Sequence, residues 1–236
     1  MSNHPPSPDL RDAAVALMLE EMATAGIDYL AHSPPDSGDL VTTTELPLLE
    51  KLAAEIRACR ACPLGDCRTN AVPGEGASKA RLMFIGEAPG TNENASGRPF
   101  VGRGGQLLDK MIVNGMGLTR EEVFIANVLK CQPPGNRDPL PAEKEACADF
   151  LARQIRAVKP ELIIALGRHA ACSLLGVDSS LGSLRGRIHQ LPQHESLMVA
   201  TYHPAYLLRT PSAKADCWLD LQLAMTHLNI PRPKPR

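Results

Sequence analysis

Short apolar runs alternate with longer amphipathic segments through most of the chain. The runs are four or five residues long, as buried strands are, and the segments between them repeat apolar residues at helical spacing. This alternation predicts an α/β fold with three layers (αβα), in which helices cover both faces of a central, mostly parallel four-stranded sheet. The predicted strands are residues 82–85, 123–126, 162–166 and 197–200, and the predicted helices are residues 106–115, 141–158, 169–175 and 213–228.

The two ends of the chain differ in composition from its middle. Residues 9–32 have apolar positions near helical spacing and are followed by a stretch rich in Ser, Pro and Asp, which is typical of a linker. We therefore expect an N-terminal helical extension (1–45), a main domain (46–229) and a basic, proline-rich tail (230–236). No apolar run approaches the ~18 residues of a membrane span, and the start lacks the parts of a signal peptide. We expect a soluble, cytoplasmic monomer.

Charge is distributed unevenly along the chain. The first 50 residues hold nine Asp or Glu and one Arg, whereas the rest of the chain holds 24 Lys or Arg against 17 Asp or Glu. A basic body can neutralise phosphates. The acidic extension is either a solvated surface or a segment that limits indiscriminate DNA binding, and it is also a candidate binding surface for a protein partner.

Glycines and polar residues follow the predicted strands at their carboxyl ends, where parallel sheets bind ligands. Glu87 lies in the glycine-rich segment after the first strand. Asn127 follows the second strand, and its carboxamide places a donor beside an acceptor, which matches one edge of a pyrimidine. His203 follows the fourth strand and can stabilise a developing anion. Each residue alone also has a structural explanation, but together they predict one crevice with a carboxylate, an amide and an imidazole.

Four of the seven cysteines have a spacing that suggests metal ligands. Cys59 and Cys62 form a C-x2-C pair, and fifteen residues separate Cys131 from Cys147. Four thiolates suffice for an iron-sulfur cube or for a structural zinc, and spacing alone does not choose between them. Cys67 lies close enough in sequence to be an alternative ligand. In a reducing compartment, metal ligands and buried thiols explain an odd cysteine count better than disulfides do.

Five motifs occur together in an order known from one family. They are GEAPG (86–90), GRPFVG (97–102), NVLKC (127–131), PPGNR (133–137) and HPAYLL (203–208). With these motifs, residues 59–228 resemble the type 4, iron-sulfur uracil-DNA glycosylases, and the first 45 residues lie outside the resemblance. The resemblance implies an enzyme that flips uracil out of single- or double-stranded DNA and hydrolyses its N-glycosidic bond. It also implies a structural 4Fe-4S cluster on Cys59, Cys62, Cys131 and Cys147.

The resemblance also implies roles for the residues at the strand ends. Phe100 stacks on the flipped uracil, and Asn127 reads its O4 and N3 edge. Gly86 and Ala88 belong to the same substrate-binding loop.

The catalytic group implied by the resemblance consists of an imidazole and two carboxylates. His203 faces uracil O2, with its protonation state open. Glu87 is the first candidate for orienting the attacking water and Glu93 is the second. Glu93 is explained equally well as a solvated loop residue.

Contacts with DNA are expected on the same side of the domain. Leu207 is the first candidate for the wedge that enters the vacated base stack, with Tyr206 beside it. Several basic residues are candidates for phosphate contacts, namely Arg98, Lys130, Arg137, Arg185, Arg187 and Arg209.

Three other functions remain open from the sequence. The chain could be a DNA-binding module without activity, a glycosylase for another damaged base, or an iron-sulfur electron carrier. The intact Glu87, Asn127 and His203 argue against the first alternative, and the basic body argues against the third. Hypoxanthine, xanthine and uracil oligonucleotides would distinguish the second.

Overall fold

The structure is a computed structural model that describes residues 45–233, with side chains from Leu48 onward. The helix predicted within residues 9–32, the linker after it and the last three residues of the tail lie outside this part of the chain. Within the described part, no helix is long and apolar enough to cross a membrane.

Six strands form one sheet in the order β1-β3-β2-β4-β6-β5. The four inner strands run parallel, and the two edge strands pair antiparallel with their neighbours. The strands are β1 (Glu75–Gly76), β2 (Leu82–Gly86), β3 (Phe124–Asn127), β4 (Leu162–Leu166), β5 (Ile188–Gln190) and β6 (Leu197–Thr201). The predicted fold class is confirmed, and the four predicted strands are the parallel ones. The predicted count of four was too small because the edge strands have only two or three residues and no apolar run.

Helices cover both faces of the sheet. They are α1 (Glu45–Ala58), α2 (Leu64–Cys67), α3 (Thr91–Ser96), α4 (Arg103–Lys110), α5 (Pro141–Val158), α6 (Arg168–Leu175), α7 (Leu181–Leu184), α8 (Pro204–Arg209) and α9 (Lys214–His227). A single π-helical turn, Met111–Gly115, continues α4, and 3-10 turns cover Pro134–Asn136 and Pro211–Ala213. The four predicted helices correspond to α4 with its π turn, α5, α6 and α9.

The two faces of the sheet bury separate hydrophobic cores because successive strand residues point to opposite sides. Phe84 and Ile164 belong to the core that includes residues of α4 and α9. Met83 and Ile163 belong to the core that includes residues of α5 and α6. Strands buried on both faces need continuous apolar runs, which explains why the inner strands were recognisable in the sequence.

Helix α1 packs against α5 outside these two cores. Leu52 and Ile56 form a small buried cluster with Phe150 of α5 packed against it. Glu55 forms a two-point ion pair with Arg153, with N···O distances of 2.6 and 2.9 Å. This packing brings the segment that follows α1, which carries the C-x2-C pair, next to α5.

Candidate functional site

The side-chain amide of Asn127 is buried without a partner at the end of β3. Asn127 is 1% exposed, and neither its Oδ1 nor its Nδ2 has a hydrogen-bond partner among the described residues. A buried polar group left unpaired costs about 1–3 kcal/mol. Asn127 pairs in register with Gly86 at the end of β2. The amide therefore lies at the carboxyl edge of the parallel sheet, where a ligand can supply both missing hydrogen bonds.

Gly86 allows the Asn127 amide and the Phe100 ring to come close together. A Cβ on Gly86 would lie 2.4 Å from Oδ1 of Asn127 and 2.5 Å from Cζ of Phe100, which is closer than real contacts allow. The absence of a side chain at Gly86 therefore lets the amide and the aromatic ring lie next to each other at the end of the sheet, and we call the place formed by Gly86, Phe100 and Asn127 the slot. A flat heterocycle fits the chemistry of such a slot, because it can stack on the ring while its edge meets the amide.

The backbone of Phe100 is held in an uncommon conformation. Its φ of 51° lies in the left-handed region, which disfavours residues with large side chains. Arg120 donates hydrogen bonds to the carbonyls of Pro99 and Phe100 and is itself paired with Glu75. Gly105 of α4 lies against Phe100, since a Cβ there would be 1.9 Å from the Phe100 carbonyl oxygen. Sequence reasoning missed both Arg120 and Gly105.

His203 lies beside Phe100 and caps α8. The ring centroids of His203 and Phe100 are 5.7 Å apart. The Nδ1 atom of His203 accepts a hydrogen bond of 3.1 Å from the Ala205 backbone N–H, which assigns the proton of the neutral ring to Nε2. Burial, and next the positive charge of Arg209, lower the pKa of His203 to about 4, although Glu93 opposes the shift. At neutral pH, His203 is therefore an uncharged donor through Nε2.

The carboxylate of Glu93 links two loops of the site by hydrogen bonds. Its Oε2 accepts from the backbone N–H of Gly90 at 3.1 Å, and its Oε1 accepts from those of Val101 and Gly102 at 2.9 and 2.8 Å. The bond to Gly90 makes Glu93 the third residue of a capping arrangement on α3. Glu93 therefore positions the loop of Phe100, and it is not a solvated loop residue.

Glu87 has two neighbours that sequence reasoning did not identify. Ligand atoms of Glu87, Asp138 and His169 all lie within 4.8 Å of one another. Burial raises the pKa of Glu87, and the nearby Asp138 adds to the rise, whereas His169 opposes it. The raised pKa makes the ionised Glu87 a stronger base than an ordinary surface carboxylate.

The four cysteines predicted as metal ligands line one cavity between α1, α2 and α5. These residues are Cys59, Cys62, Cys131 and Cys147. Ala88, which was predicted in the substrate pocket, packs against the apolar cluster that contains Cys131 and Cys147. Cys67 is exposed and does not line the cavity. The alternative ligand set that used Cys67 is therefore not supported.

The donors around this cavity fit an iron-sulfur cluster better than a zinc ion. In residues 45–233, no three cysteine sulfurs come within 4.8 Å of one another. A tetrahedral zinc, with Zn–S distances of ~2.3 Å, would need sulfurs ~3.8 Å apart. Arg68 donates to the sulfur of Cys131 at 2.9 Å, and the Ala61 N–H donates to that of Cys59 at 3.4 Å. Such donors to sulfur suit an anionic cluster.

Leu207 does not lie on the surface of α8. Its side chain is fully buried in the core cluster that also contains Phe100. Its neighbours Tyr206 and Leu208 are 40% and 39% exposed. The short helix turns its apolar face inward, so that Leu207 faces the core and cannot also reach a base stack without leaving it. The wedge assigned to Leu207 from the sequence is therefore not available in this conformation.

The three arginines predicted to bind DNA differ in their partners. Arg98 makes a two-point pair with Glu75, at 2.8 and 3.0 Å. Arg137 makes a similar pair with Glu143, at 2.9 and 2.5 Å. Arg209 is exposed and forms no ion pair with the carboxylates of the described segment. Arg209 is therefore the one of these three whose charge is not already matched by a carboxylate.

Lys130, which was predicted to contact phosphate, is almost completely buried. It is 1% exposed, and its Nζ donates to the Asn127 carbonyl at 2.7 Å and to Gln154 Oε1 at 2.6 Å. Burial lowers the pKa of Lys130 to about 7. A side chain in this position cannot reach a phosphate, so the prediction that Lys130 contacts DNA was wrong.

Comparisons with known proteins agree with this arrangement. A family profile described as the uracil DNA glycosylase superfamily matches residues 73–222. A type-4 uracil-DNA glycosylase of Sulfurisphaera tokodaii is 47% identical over 172 residues, which cover 70% of this chain and 78% of the relative. The type-4 enzyme of Archaeoglobus fulgidus is 41% identical over 174 residues, covering 71% and 87%. A type-5 uracil-DNA glycosylase of Thermus thermophilus is 30% identical over 190 residues, covering 65% and 85%. The chain therefore belongs to the uracil-DNA glycosylase superfamily and, within it, to the type-4 group.

Proposed function

We propose that this protein removes uracil from DNA by hydrolysing the N-glycosidic bond, leaving an abasic site for base excision repair. The observation that carries the proposal is the unpartnered amide of Asn127, which lies with Phe100 beside Gly86. Uracil offers an acceptor at O4 and a donor at N3, so it would satisfy both amide atoms at once. Cytosine reverses both groups and would leave the amide mismatched, which is a strong basis for rejection.

The target nucleotide must leave the helix before it can reach this slot. Asn127 and Phe100 are both buried, and a stacked base in a duplex cannot approach them. Extrusion costs a few kcal/mol, and less when the base is mispaired or the strand is single. We propose that the exposed Leu208 or Tyr206, and not Leu207, fills the vacated position in the stack.

Cleavage of the bond leaves negative charge on uracil and positive charge on the sugar. In this proposal, the neutral His203 donates from Nε2 to uracil O2 and stabilises the developing anion. The donor is already oriented by the Ala205 N–H, so little reorganisation is needed during the reaction. Glu93 acts as a positioning residue, since its carboxylate is engaged by three backbone N–H groups.

Glu87 is the proposed residue for orienting the water that attacks C1′. We expect its ionised form to be required, because only the carboxylate can accept a proton from that water. Since the pKa of Glu87 is raised, activity should fall on the acid side at a higher pH than for an ordinary Glu. The change Glu87→Gln should lower kcat and flatten this acid limb. Rate measurements between about pH 4 and 8 test the prediction, and an unchanged acid limb in Glu87→Gln would rule out this role.

Arg209 is the proposed phosphate contact on this face. Because no carboxylate in the described chain neutralises it, Arg209→Ala should weaken DNA binding and reduce the slope of log K against log salt by about one. The matched control is Arg98→Ala, whose guanidinium already pairs with Glu75 and should matter less. A larger loss of salt dependence in Arg98→Ala than in Arg209→Ala would contradict the assignment. Binding would be measured by fluorescence anisotropy over a series of salt concentrations.

We propose that Cys59, Cys62, Cys131 and Cys147 hold a structural 4Fe-4S cluster. The support is the shared cavity and the donors directed at the sulfurs of Cys131 and Cys59. When bound, the cluster would cross-link α1, the segment after β3 and α5, and it would take no part in the hydrolysis. Burial raises the pKa of the Cys147 thiol to about 11, so that binding iron would displace a proton there.

We propose that the protein acts as a monomer on uracil-containing DNA in the cytoplasm. The slot residues, the cysteine cavity and Arg209 all belong to one chain, so a single copy carries a complete site. The acidic extension is the proposed contact for a protein partner, because its charge would repel DNA.

The experiment that tests this function uses an oligonucleotide with a single uracil. Purified protein is incubated with it without added cofactor, and alkali then cuts any abasic site. Cleavage at the uracil position, together with about four iron atoms per chain, would support both parts of the proposal. Brown protein that leaves the oligonucleotide intact would contradict the activity while retaining the cluster.

A further inference from the structure

Lys130 is a buried amine without a carboxylate partner. It is 1% exposed, and among residues 45–233 no Asp or Glu forms an ion pair with it. Its hydrogen-bond acceptors are neutral oxygens of Asn127 and Gln154. In its charged form this side chain needs an anion nearby, because a charge taken out of water without a counter-charge is strongly disfavoured.

The cysteine cavity is the place beside Lys130 where such an anion would lie. Lys130 lines this cavity together with the four cysteines. A cluster held by four thiolates has a net negative charge, and it would be the counter-ion that the protein chain itself does not provide.

The same side chain also contacts the backbone of Asn127. Nζ donates to the backbone carbonyl of Asn127 at 2.7 Å, while Gln154 fixes Nζ from the other side at 2.6 Å. Gln154 is itself held by a 2.6 Å bond to the carbonyl of Pro73. Asn127 and Cys131 are only four residues apart, and Lys130 between them contacts both sites. Lys130 is therefore in contact with the backbone of the residue that carries the unpaired amide.

We propose that Lys130 is a positioning residue that couples the iron-sulfur cluster to the uracil slot. It provides the buried counter-charge of the cluster, and its ammonium holds the backbone of Asn127 in place. The inference rests on the proposed function and its cluster. The cluster would then influence base recognition through the Lys130 side chain, although it takes no part in the hydrolysis.

Two substitutions separate the charge of Lys130 from its hydrogen bond. Lys130→Met removes both and keeps a similar length, whereas Lys130→Gln removes the charge but retains a donor for the Asn127 carbonyl. The control is Lys51→Gln on α1, which removes one exposed positive charge from the same region. Two quantities are measured on the iron-loaded proteins, namely the rate at which the absorption near ~400 nm decays under chelator and oxidant, and the dissociation constant of free uracil.

Both Lys130 variants should lose the cluster at least about tenfold faster than wild type, because each lacks the counter-charge. Free uracil should bind about tenfold more weakly to Lys130→Met, and Lys130→Gln should retain more of the affinity. Lys51→Gln should match wild type in both measurements. Lys130→Gln, the milder change, keeps the test decisive if Lys130→Met does not fold.

If the cluster decays no faster in the Lys130 variants than in wild type, Lys130 does not provide its counter-charge. If uracil affinity is unchanged in a folded Lys130→Met, or falls equally in both variants, Lys130 does not position Asn127 through its hydrogen bond. Failure of the proposed function has a different signature, because wild-type protein would then neither bind uracil nor release it from DNA. The difference in cluster lifetime between wild type and the Lys130 variants would still be measurable in that case.

Discussion

Replacing Asn127 with leucine is expected to stabilise the folded protein while abolishing uracil excision. The amide is buried and unpaired, so an apolar side chain of similar volume removes an unsatisfied donor and acceptor. The free energy of unfolding should rise by about 1–3 kcal/mol. The same change removes the group proposed to read uracil and fills part of the slot. We therefore expect kcat/KM on uracil DNA to fall at least about 10³-fold.

The matched control is Gln154→Leu, which also replaces a buried amide with an apolar side chain. Unlike Asn127, Gln154 has partners at both ends, since it donates to Pro73 and accepts from Lys130. Its replacement should lower the stability by about 1–3 kcal/mol because Lys130 loses an acceptor. Urea unfolding of both variants shows directly whether each substitution raises or lowers the free energy of unfolding. A loss of stability in Asn127→Leu as large as in Gln154→Leu would show that the Asn127 amide has a partner in the folded protein.

Replacing His203 with alanine is expected to lower kcat about 10²- to 10³-fold with little change in KM. The lost interaction is a hydrogen bond to the oxygen that becomes negative only as the bond breaks, so binding of the ground state depends on it less. Because the pKa of His203 is lowered to about 4, the ring stays neutral across the physiological range. The ratio of wild-type to variant rates should therefore be constant between about pH 6 and 9.

This pH dependence distinguishes a neutral donor from an imidazolium. If His203 acted in its charged form, the advantage of wild type over His203→Ala would shrink as the pH rose through the pKa of the ring. His227→Ala is the control, because His227 lies on the exposed end of α9, outside the slot. Single-turnover rates with uracil oligonucleotides separate the chemical step from product release. A rate ratio that declined above neutral pH would contradict the neutral donor.

Much of the fold was predictable because its central strands are buried on both faces. An inner strand such as β4 must then be continuously apolar, and that pattern is visible without any knowledge of its neighbours. The edge strands β1 and β5 were missed because their pairing depends on the sheet beside them. Asn127 and His203 were identified because polar residues directly after buried strands lie at the ligand-binding edge of a parallel sheet.

The rest of the site depends on contacts between residues far apart in sequence. The sequence shows the positive charge of Arg98, but not that Glu75 neutralises it. It shows two adjacent leucines in α8, but only the packing of the helix distinguishes the buried Leu207 from the exposed Leu208. Glu93 is different, because Glu at the third position of a helix after a glycine-containing turn is a recognisable capping signal.

Features that would destabilise an isolated domain are concentrated around the slot. The Asn127 amide is unpaired, Phe100 has a left-handed backbone, and Lys130 is a buried amine. Each costs stability in the absence of a ligand or cofactor, and each has an explanation in uracil binding or cluster binding. Their proximity is what a preorganised recognition site requires, since the groups are in place before the base enters.

The most direct test of the central claim compares bases within one oligonucleotide sequence. Uracil, cytosine, thymine and hypoxanthine are placed in turn opposite guanine, and excision is measured under single-turnover conditions with excess protein. The account predicts rapid release of uracil, with cytosine and thymine slower by at least about 10³-fold and hypoxanthine also disfavoured. Excision of hypoxanthine at a rate equal to or above that of uracil would contradict a slot built around the Asn127 amide for a pyrimidine edge.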